Sequence, residues 1–216
     1  MSEPAAAESA LANSIGNFAE LIAAGTPAPG GGSVAAYCGV LAAALGQMVC
    51  NLSIGKKKYA GAEPRLLNVR AELEELGTGL KELIEEDAAS FEDVLRAYRL
   101  PKETDEQSVA RTKAIQLALQ HAVAVPLETA SRSMEVLSLL REIAEIGNTN
   151  ALSDVAVGAQ LAQTAIIGAS YNVAVNLGSI SDEEFVSTRR QQMDELTETS
   201  NAVAGEVQRK IQTENS

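Results

Sequence analysis

The chain has few aromatic residues, and this shortage restricts the kind of core that it can build. Aromatic residues make up 3% of the 216 residues, and tryptophan is absent. Hydrophobic residues reach 46%, which is typical of a folded rather than a disordered chain. Alanine, leucine and valine must therefore fill the interior, and this favours closely packed helices over a β-sandwich.

Cysteine and histidine are also scarce, so the common metal-site patterns are missing. Cys38 and Cys50 are twelve positions apart in one apolar segment, a spacing that matches no zinc motif and cannot form a disulfide within a helix. Both are predicted to be buried thiols in a reducing compartment, which indicates a cytoplasmic protein. His121 stands alone and is predicted to be structural. We expect neither a metal site nor a cofactor.

Membrane-directing segments are missing as well. The first residues include Glu3 and Glu8 and no basic region, so they do not fit a signal peptide. The apolar run 34–49 is short for a membrane span and is interrupted by Gly39 and Gln47. It is predicted to be a buried core helix, and no membrane association is expected.

Positive charge is in short supply. The chain has 17 Lys and Arg against 29 Asp and Glu, a net charge of −12, which argues against nucleic acids and anionic membranes as partners. An anionic substrate would need a local basic patch. Lys56, Lys57 and Lys58 form such a basic patch. They either guide a polyanionic tail or are simply charged residues exposed to solvent.

Hydrophobic spacing and helix-ending residues predict an all-α bundle in a single domain. Residues 1–8 are predicted to be a loose leader, and residues 9–216 the domain. Helices at 33–54 and 151–177 are apolar on nearly all sides and are predicted to be central. A helix running through Pro126 to Ile146 is predicted to be separate from the one before it. The other predicted helices are 13–24, 64–98, 105–122 and 181–212.

A proline- and glycine-rich loop, Thr-Pro-Ala-Pro-Gly-Gly-Gly-Ser at 26–33, precedes the first apolar helix. Ser33 is predicted to cap this helix, whose free N–H groups suit an anion or a polar heterocycle. The loop lacks the Gly-Lys-Ser/Thr ending of a P-loop. A ligand-binding loop and a plain turn with a helix cap both remain open. The candidate binding residues here are Pro29, Gly30, Gly31, Gly32 and Ser33.

An acidic residue interrupts the apolar stripe of the helix 64–98. Position 87 falls inside the stripe and is Asp, whereas Glu85 and Glu86 are predicted to point away from it. A carboxylate on the core side needs a partner or a cavity, and burial raises its pKa towards values useful for proton transfer. Asp87 is therefore a candidate catalytic residue. The alternative is that it caps a neighbouring helix or meets a basic side chain.

Amide side chains interrupt the helix 151–177 in a similar way. Asn172 and Asn176 are one turn apart and project together, so they could bind a heterocycle or tie helices together. Asn148 and Asp154 add polar groups near the start of the same helix. Asp154 has the further alternative of interacting only with that helix N-terminus.

Six motifs, in order along one length, are similar to the cyclodeaminase/cyclohydrolase family of folate enzymes. The similarity covers about residues 11–210. Besides the loop at 26–33, the motifs are Met-Val-Cys-Asn-Leu-Ser-Ile-Gly-Lys-Lys-Lys-Tyr at 48–59, Asp-Ala-Ala-Ser-Phe at 87–91, Leu-Pro-Lys-Glu-Thr at 100–104, Gly147-Asn148 with Ser153-Asp154, and Tyr171-Asn172-Val173 leading to Asn176-Leu177.

The resemblance implies an all-α fold, a homodimer and a folate site in a cleft between helices. By the same resemblance Asp87 matches the family's acid/base carboxylate. The amides Asn172 and Asn176 and the glycine loop would hold the pterin, and Lys56–Lys58 would meet a polyglutamate tail.

The family includes two activities, and the resemblance implies that this chain has one of them. Gly55–Tyr59 and Cys50 look closer to stand-alone methenyltetrahydrofolate cyclohydrolases, and no formimidoyltransferase domain is expected beside this one. The expected reaction is hydrolysis of 5,10-methenyltetrahydrofolate to 10-formyltetrahydrofolate. The alternatives are a formimidoyltetrahydrofolate cyclodeaminase that releases ammonia, and a non-catalytic helical dimer that binds folate.

Overall fold

Helices make up nearly all of the computed structural model, which describes residues 15–214. No strand occurs within that range, so the predicted all-α class is confirmed. The predicted leader, residues 1–8, lies outside the described residues. Short 3-10 turns occur at Lys57–Tyr59 and Thr149–Ala151. The α-helices are α1 (Ile15–Ala23), α2 (Gly31–Ser53), α3 (Glu63–Tyr98), α4 (Asp105–Ile146), α5 (Leu152–Leu177) and α6 (Glu183–Glu214).

Small residues let the helices of the core approach one another closely. Helix α2 packs against α3, α4 and α5, and α4 also packs against α3, α5 and α6. At Gly46, a Cβ atom would lie 2.7 Å from Leu73 Cδ1, so a larger residue would force the Leu73 side chain of α3 to shift. Gly25 and Gly55 follow the ends of α1 and α2 and have φ angles of 73° and 76°, which favour glycine.

The prediction of two helices between residues 105 and 146 is wrong, because α4 continues through Pro126. Thr104 begins α4 with a capping box, in which Gln107 N–H donates to Thr104 Oγ1 at 3.2 Å. Pro126 has no N–H to donate to the carbonyl of Ala122, four residues earlier. The side chain of Asn176 in α5 supplies the missing donor, with Nδ2 2.8 Å from Ala122 O. A side chain from another helix thus keeps α4 intact.

This contact predicts a coupled effect on stability. We expect Asn176→Ala to lower the free energy of unfolding by about 1–3 kcal/mol, because a buried carbonyl loses its donor. In a Pro126→Ala background, the restored backbone N–H serves Ala122, so the same substitution should cost clearly less. Urea denaturation of the four proteins measures both values.

Gln163→Ala is the matched control, because this amide is also on α5 but its hydrogen bond to Asn201 is exposed. It should change the free energy of unfolding by less than about 0.5 kcal/mol. If Asn176→Ala lowered the free energy of unfolding equally in the wild-type and Pro126→Ala proteins, the Asn176 amide would not be replacing the donor that Pro126 lacks.

Helix α2 packs against three other helices but leaves one of its sides exposed. By length and composition it is apolar enough to cross a membrane, and just over half of that stretch is buried inside the protein. Leu41, Met48 and Leu52 are exposed on its outer side. Cys50 is buried as predicted, but Cys38 is only half-buried because it lies towards this outer side.

Candidate functional site

The start of α2 is organised around a carboxylate from α3. The helix begins at Gly31, with Gly30 at the N-cap position and no side chain capping it locally. The prediction that Ser33 caps α2 is therefore wrong. Ser33 is buried in the first turn, and its Oγ donates to Asp87 Oδ2 at 2.9 Å and lies 3.1 Å from Ile84 O.

Asp87 of α3 caps the start of α2 in place of a side chain from α2 itself. It accepts a hydrogen bond from the backbone N–H of Ser33 as well as from the hydroxyl. Its carboxylate packs directly against Gly32, where a Cβ atom would overlap the Asp87 oxygens. The side chain is half-buried, whereas the neighbouring Glu86 is exposed. The inward position of Asp87 follows from the apolar stripe of α3.

Burial raises the pKa of the Asp87 carboxyl above its ordinary value, and the hydrogen bonds from Ser33 hold that pKa down in part. The N-terminal dipole of α2 also favours the ionised form. A carboxylate with these opposing influences can accept a proton in one step and return it in the next. The geometry thus combines a capping role with the requirements of an acid–base group.

Asn172 joins this group from α5. Its side chain is half-buried, and Nδ2 donates to Gly168 O in its own helix at 2.9 Å. The same Nδ2 would lie 3.8 Å from a Cβ atom on Gly31, so the amide borders the glycine loop. The loop residues Pro29 and Gly30 are half-buried beside it, and the Ala28–Pro29 peptide bond is cis. The polar end of α2 is therefore built from three separate parts of the chain.

Sequence reasoning did not assign an aromatic pair next to this group. Phe18 of α1 lies against Tyr37 of α2, with ring centroids 5.3 Å apart. Tyr37 is one turn beyond Ser33 and hence on the same side of α2. The spacing of four residues between Ser33 and Tyr37 could have indicated that both lie on one side of α2. Nothing in the sequence indicated that α1 packs over this turn.

Asn148, Asp154 and the three predicted lysines lie at the opposite end of α2. Asn148 Nδ2 donates to Leu52 O at 3.2 Å, and its backbone N–H donates to Ser53 Oγ at 2.8 Å. Asn148 Oδ1 accepts from Asn150 N–H at 3.0 Å. These bonds give Asn148 a structural role, which is to fix the turn before α5 to the end of α2. Asp154 is half-buried in the first turn of α5.

The three lysines follow the same end of α2 and are exposed. Lys58 Nζ donates to Thr149 Oγ1 at 3.0 Å and lies over the Tyr59 ring. Lys56 and Lys57 have no ion-pair partner among residues 15–214. Helix α2 has 23 residues, so about 33 Å separates its two ends. Within one chain, the structure therefore does not bring the lysines to Asp87.

Two further predicted residues, His121 and Asn176, bind partners other than Asp87. His121 Nε2 is 3.2 Å from Glu86 Oε1 in an exposed contact between α4 and α3. Asn176 binds the α4 backbone, as described above. Within the described part of the chain, no group of three His, Cys, Asp or Glu side chains could hold a metal ion.

The protein is thus a small all-helical bundle in which the half-buried carboxylate of Asp87 packs against the glycine-rich start of α2. Residues 14–195 match the Formiminotransferase-cyclodeaminase family, and the chain belongs to that family. The predicted family resemblance is confirmed.

Relatives with both activities are similar to this chain. It is 41% identical to a methenyltetrahydrofolate cyclohydrolase of Methylorubrum extorquens, over 84% of this chain and 88% of that protein. It is 35% identical to the rat formimidoyltransferase-cyclodeaminase over 88% of this chain but only 35% of the rat protein, so it spans about a third of that relative. The crystal structure of formiminotetrahydrofolate cyclodeaminase from Thermotoga maritima superposes with a TM-score of 0.84 at 29% identity, covering 93% of this chain and 96% of that one.

Proposed function

We propose that this chain is a methenyltetrahydrofolate cyclohydrolase, which hydrolyses 5,10-methenyltetrahydrofolate to 10-formyltetrahydrofolate. The single observation that carries the proposal is the Asp87 carboxylate, half-buried at the start of α2 with a raised pKa. The 41% identity to a protein named for this activity supports the choice of reaction.

The proposed mechanism uses Asp87 twice. The bridging carbon of the substrate is an electrophilic amidinium, so the ionised carboxylate stabilises the bound cation. Asp87 takes a proton from the water that attacks this carbon. The bond from the carbon to N5 then breaks, and Asp87 returns the proton to N5 while the second proton of the water leaves to solvent. The reaction needs no cofactor, because the substrate itself carries the positive charge.

In the same proposal, the rest of the polar group positions the substrate. The glycine loop and Asn172 would hold the pterin, since Gly31 lies beside the Asn172 amide and Gly32 lies beside the Asp87 carboxylate. Lys56, Lys57 and Lys58 would bind a polyglutamate tail. The protein would act as a homodimer in the cytoplasm, where free thiols such as Cys38 and Cys50 are stable.

A cyclodeaminase is the second candidate, favoured by the match to the Thermotoga maritima structure. In that reaction N10 attacks the formimino carbon on N5, and Asp87 would protonate the departing ammonia. The deciding experiment mixes purified protein with each substrate. Loss of the methenyl absorbance from methenyltetrahydrofolate supports the cyclohydrolase. A gain of that absorbance from formiminotetrahydrofolate, without loss in the first assay, would replace it by the cyclodeaminase. No change in either assay would leave a folate-binding dimer.

The proposed tail site makes a prediction about substrate length. Replacing Lys56, Lys57 and Lys58 by Ala should raise KM for a polyglutamylated substrate about tenfold, because three exposed ion pairs contribute some tenths of a kcal/mol to 1 kcal/mol each. KM for the monoglutamate should change much less. Steady-state kinetics with both substrates provides the comparison.

The matched control replaces three other exposed lysines, Lys81, Lys102 and Lys113, by Ala. This variant has the same net charge as the first and should leave both KM values within about twofold. Equal losses for the two tail lengths, or equal losses in the two variants, would reject the tail-binding role.

A further inference from the structure

The hydroxyl group of Ser33 faces two hydrogen-bond acceptors of α3 but has a single proton to donate. Ser33 Oγ is 2.9 Å from Asp87 Oδ2 and 3.1 Å from the backbone oxygen Ile84 O. Both distances fit a hydrogen bond, and a hydroxyl donates only one. Ser33 has no solvent-exposed surface, so no water molecule can act as a further partner. At any moment the proton therefore binds either the carboxyl group or the carbonyl, and not both.

The protonation state of Asp87 decides which acceptor the hydroxyl prefers. An ionised carboxylate is a stronger acceptor than a neutral carbonyl, so the hydroxyl then donates to Asp87 Oδ2. Ile84 O loses little, because a backbone N–H one turn further along the helix already donates to it. When Oδ2 carries a proton, it becomes the donor across the same 2.9 Å. Ser33 Oγ accepts this bond, and its own proton turns to Ile84 O.

Both arrangements satisfy these groups without moving a heavy atom. In the ionised state the hydrogen bond of Ser33 ends on the carboxylate. In the protonated state a chain of two hydrogen bonds runs from the carboxyl group through the hydroxyl to Ile84 O. The two states differ by a rotation about the Cβ–Oγ bond of Ser33. An unpaired buried polar group is unfavourable, and neither state contains one among these three groups.

We infer that the Ser33 hydroxyl is a two-position switch, which turns between Asp87 Oδ2 and Ile84 O as the Asp87 carboxyl loses and gains a proton. Ser33 is thereby a positioning residue for both proton transfers of the proposed reaction, and this catalytic part rests on the proposed function. When Asp87 takes a proton from the attacking water, the hydroxyl turns to Ile84 O. When Asp87 returns the proton to N5, the hydroxyl turns back. Ser33 itself neither gains nor loses a proton.

Charged neighbours do not control this switch within the described part of the chain. Helix α2 contains no charged residue, and Tyr37 is its ionisable group one turn away. On α4, His121 binds Glu86 at 3.2 Å rather than Asp87. The charged residue of α5 is Asp154, in its first turn at the far end of α2. Burial and the two hydrogen bonds described above therefore shift the pKa of Asp87.

The switch predicts that the Ile84 carbonyl reports the ionisation of Asp87. An Ile-Glu pair occurs once in the sequence, at 84–85, so ¹³C-carbonyl isoleucine with ¹⁵N-glutamate gives one signal in an HNCO spectrum. As the pH falls from about 8 to about 4, the Ile84 ¹³C signal should move to higher frequency, because the carbonyl gains a hydrogen bond. Its midpoint should equal that of the Asp87 carboxyl carbon, and Asp87→Asn should abolish the change. A constant Ile84 signal in the unmodified protein would overturn the switch.

Ser33→Ala separates rotation of the hydroxyl from the electric field of the carboxylate. This variant keeps the Asp87 charge but has no hydroxyl, so the Ile84 signal should no longer follow Asp87. A signal that still moved by the same amount would report the charge alone and would overturn the inference. The matched control is Ser90→Ala. Ser90 is also buried, but its hydroxyl donates to the backbone oxygen Asp87 O at 2.9 Å, so the Ile84 titration should stay as in the wild type.

A second experiment measures the effect of Ser33 on the proposed reaction. Ionised Asp87 is the base, so kcat with methenyltetrahydrofolate should fall on the acidic side of its pH profile. Removal of the Ser33 hydroxyl takes a donor from the carboxylate and favours the protonated form. The midpoint of the acidic limb should therefore rise by about one pH unit in Ser33→Ala, as expected for one hydrogen bond to a charged group. It should not change in Ser90→Ala. An unchanged midpoint in Ser33→Ala would remove Ser33 from the reaction.

Failure of the proposed function would give a different pattern of results. If the wild-type protein consumes no methenyltetrahydrofolate, the proposed function fails. The NMR titrations need no substrate, so they still decide whether the Ser33 hydroxyl switches. If the wild-type protein consumes the substrate but the Ile84 signal does not follow Asp87, the inference fails and the proposed function stands.

Discussion

Asp87→Asn should lower kcat about a thousandfold and leave the fold intact. The amide keeps the size of the side chain, and its oxygen can accept the hydrogen bond from Ser33 Oγ, now 2.9 Å long. It cannot take a proton from water at neutral pH, and loss of a positioned acid–base group costs roughly 10²–10⁴ in rate. Loss of methenyl absorbance gives kcat, and titration with 10-formyltetrahydrofolate gives the affinity for a folate that lacks the amidinium charge, which should change little.

Thermal unfolding should show no loss of stability in this variant at neutral pH. Because the folded-state pKa of Asp87 is raised, the ionised carboxylate opposes folding above its ordinary pKa, and this cost disappears as the pH falls below it. Replacing the carboxylate by an amide removes the same cost. The control is Glu86→Gln, an exposed carboxylate one position away, which should keep kcat within about twofold. A near-wild-type kcat in Asp87→Asn would remove Asp87 from the mechanism.

Gly32→Ala should lower kcat about a hundredfold by moving the same carboxylate. The new methyl group would occupy the space of the Asp87 oxygens, so the side chain must shift. A displacement of about 1 Å of a catalytic group costs on the order of 10² in rate. The helix itself should persist, because alanine is a better helix former than glycine. Kinetics and a crystal structure of the variant measure the loss and the shift together.

Gly77→Ala is the matched control for this substitution. Gly77 is also buried in a helix, but a Cβ atom there would lie 3.5 Å from Ala43 Cβ, an ordinary contact. We expect unchanged kcat and a gain of about 0.5–1 kcal/mol in the free energy of unfolding. If Gly32→Ala retained the wild-type kcat, the close packing of Gly32 on Asp87 would have no part in the reaction.

Sequence periodicity located the helices and the inward position of Asp87, because both depend on interactions within one or two turns. The predicted helices 64–98 and 151–177 agree with α3 and α5 to within one residue at each end. The helix break predicted before Pro126 is wrong, because rules that consider only residues close in sequence cannot include a donor from another helix. The donor that replaces the missing N–H comes from Asn176, on another helix.

The candidate site was only partly predictable for the same reason. Ser33 has the side chain of a helix cap, but Asp87 of α3 occupies that role and Ser33 serves Asp87 instead. The separation of the glycine loop from Lys56–Lys58 was present in the sequence, since a helix of more than twenty residues lies between them. The prediction grouped the glycine loop and the lysines into one site by their chemistry and did not take the length of this helix into account.

The position of α2 in the chain also affects how the protein is made. Its inner side is completed by α5, which the ribosome produces about a hundred residues and roughly ten seconds later. During that interval α3 and α4 can pack on this uncharged 23-residue helix, but the surface that α5 covers in the folded protein stays exposed. We therefore expect truncation before Leu152 to leave part of α2 uncovered and the product prone to aggregation.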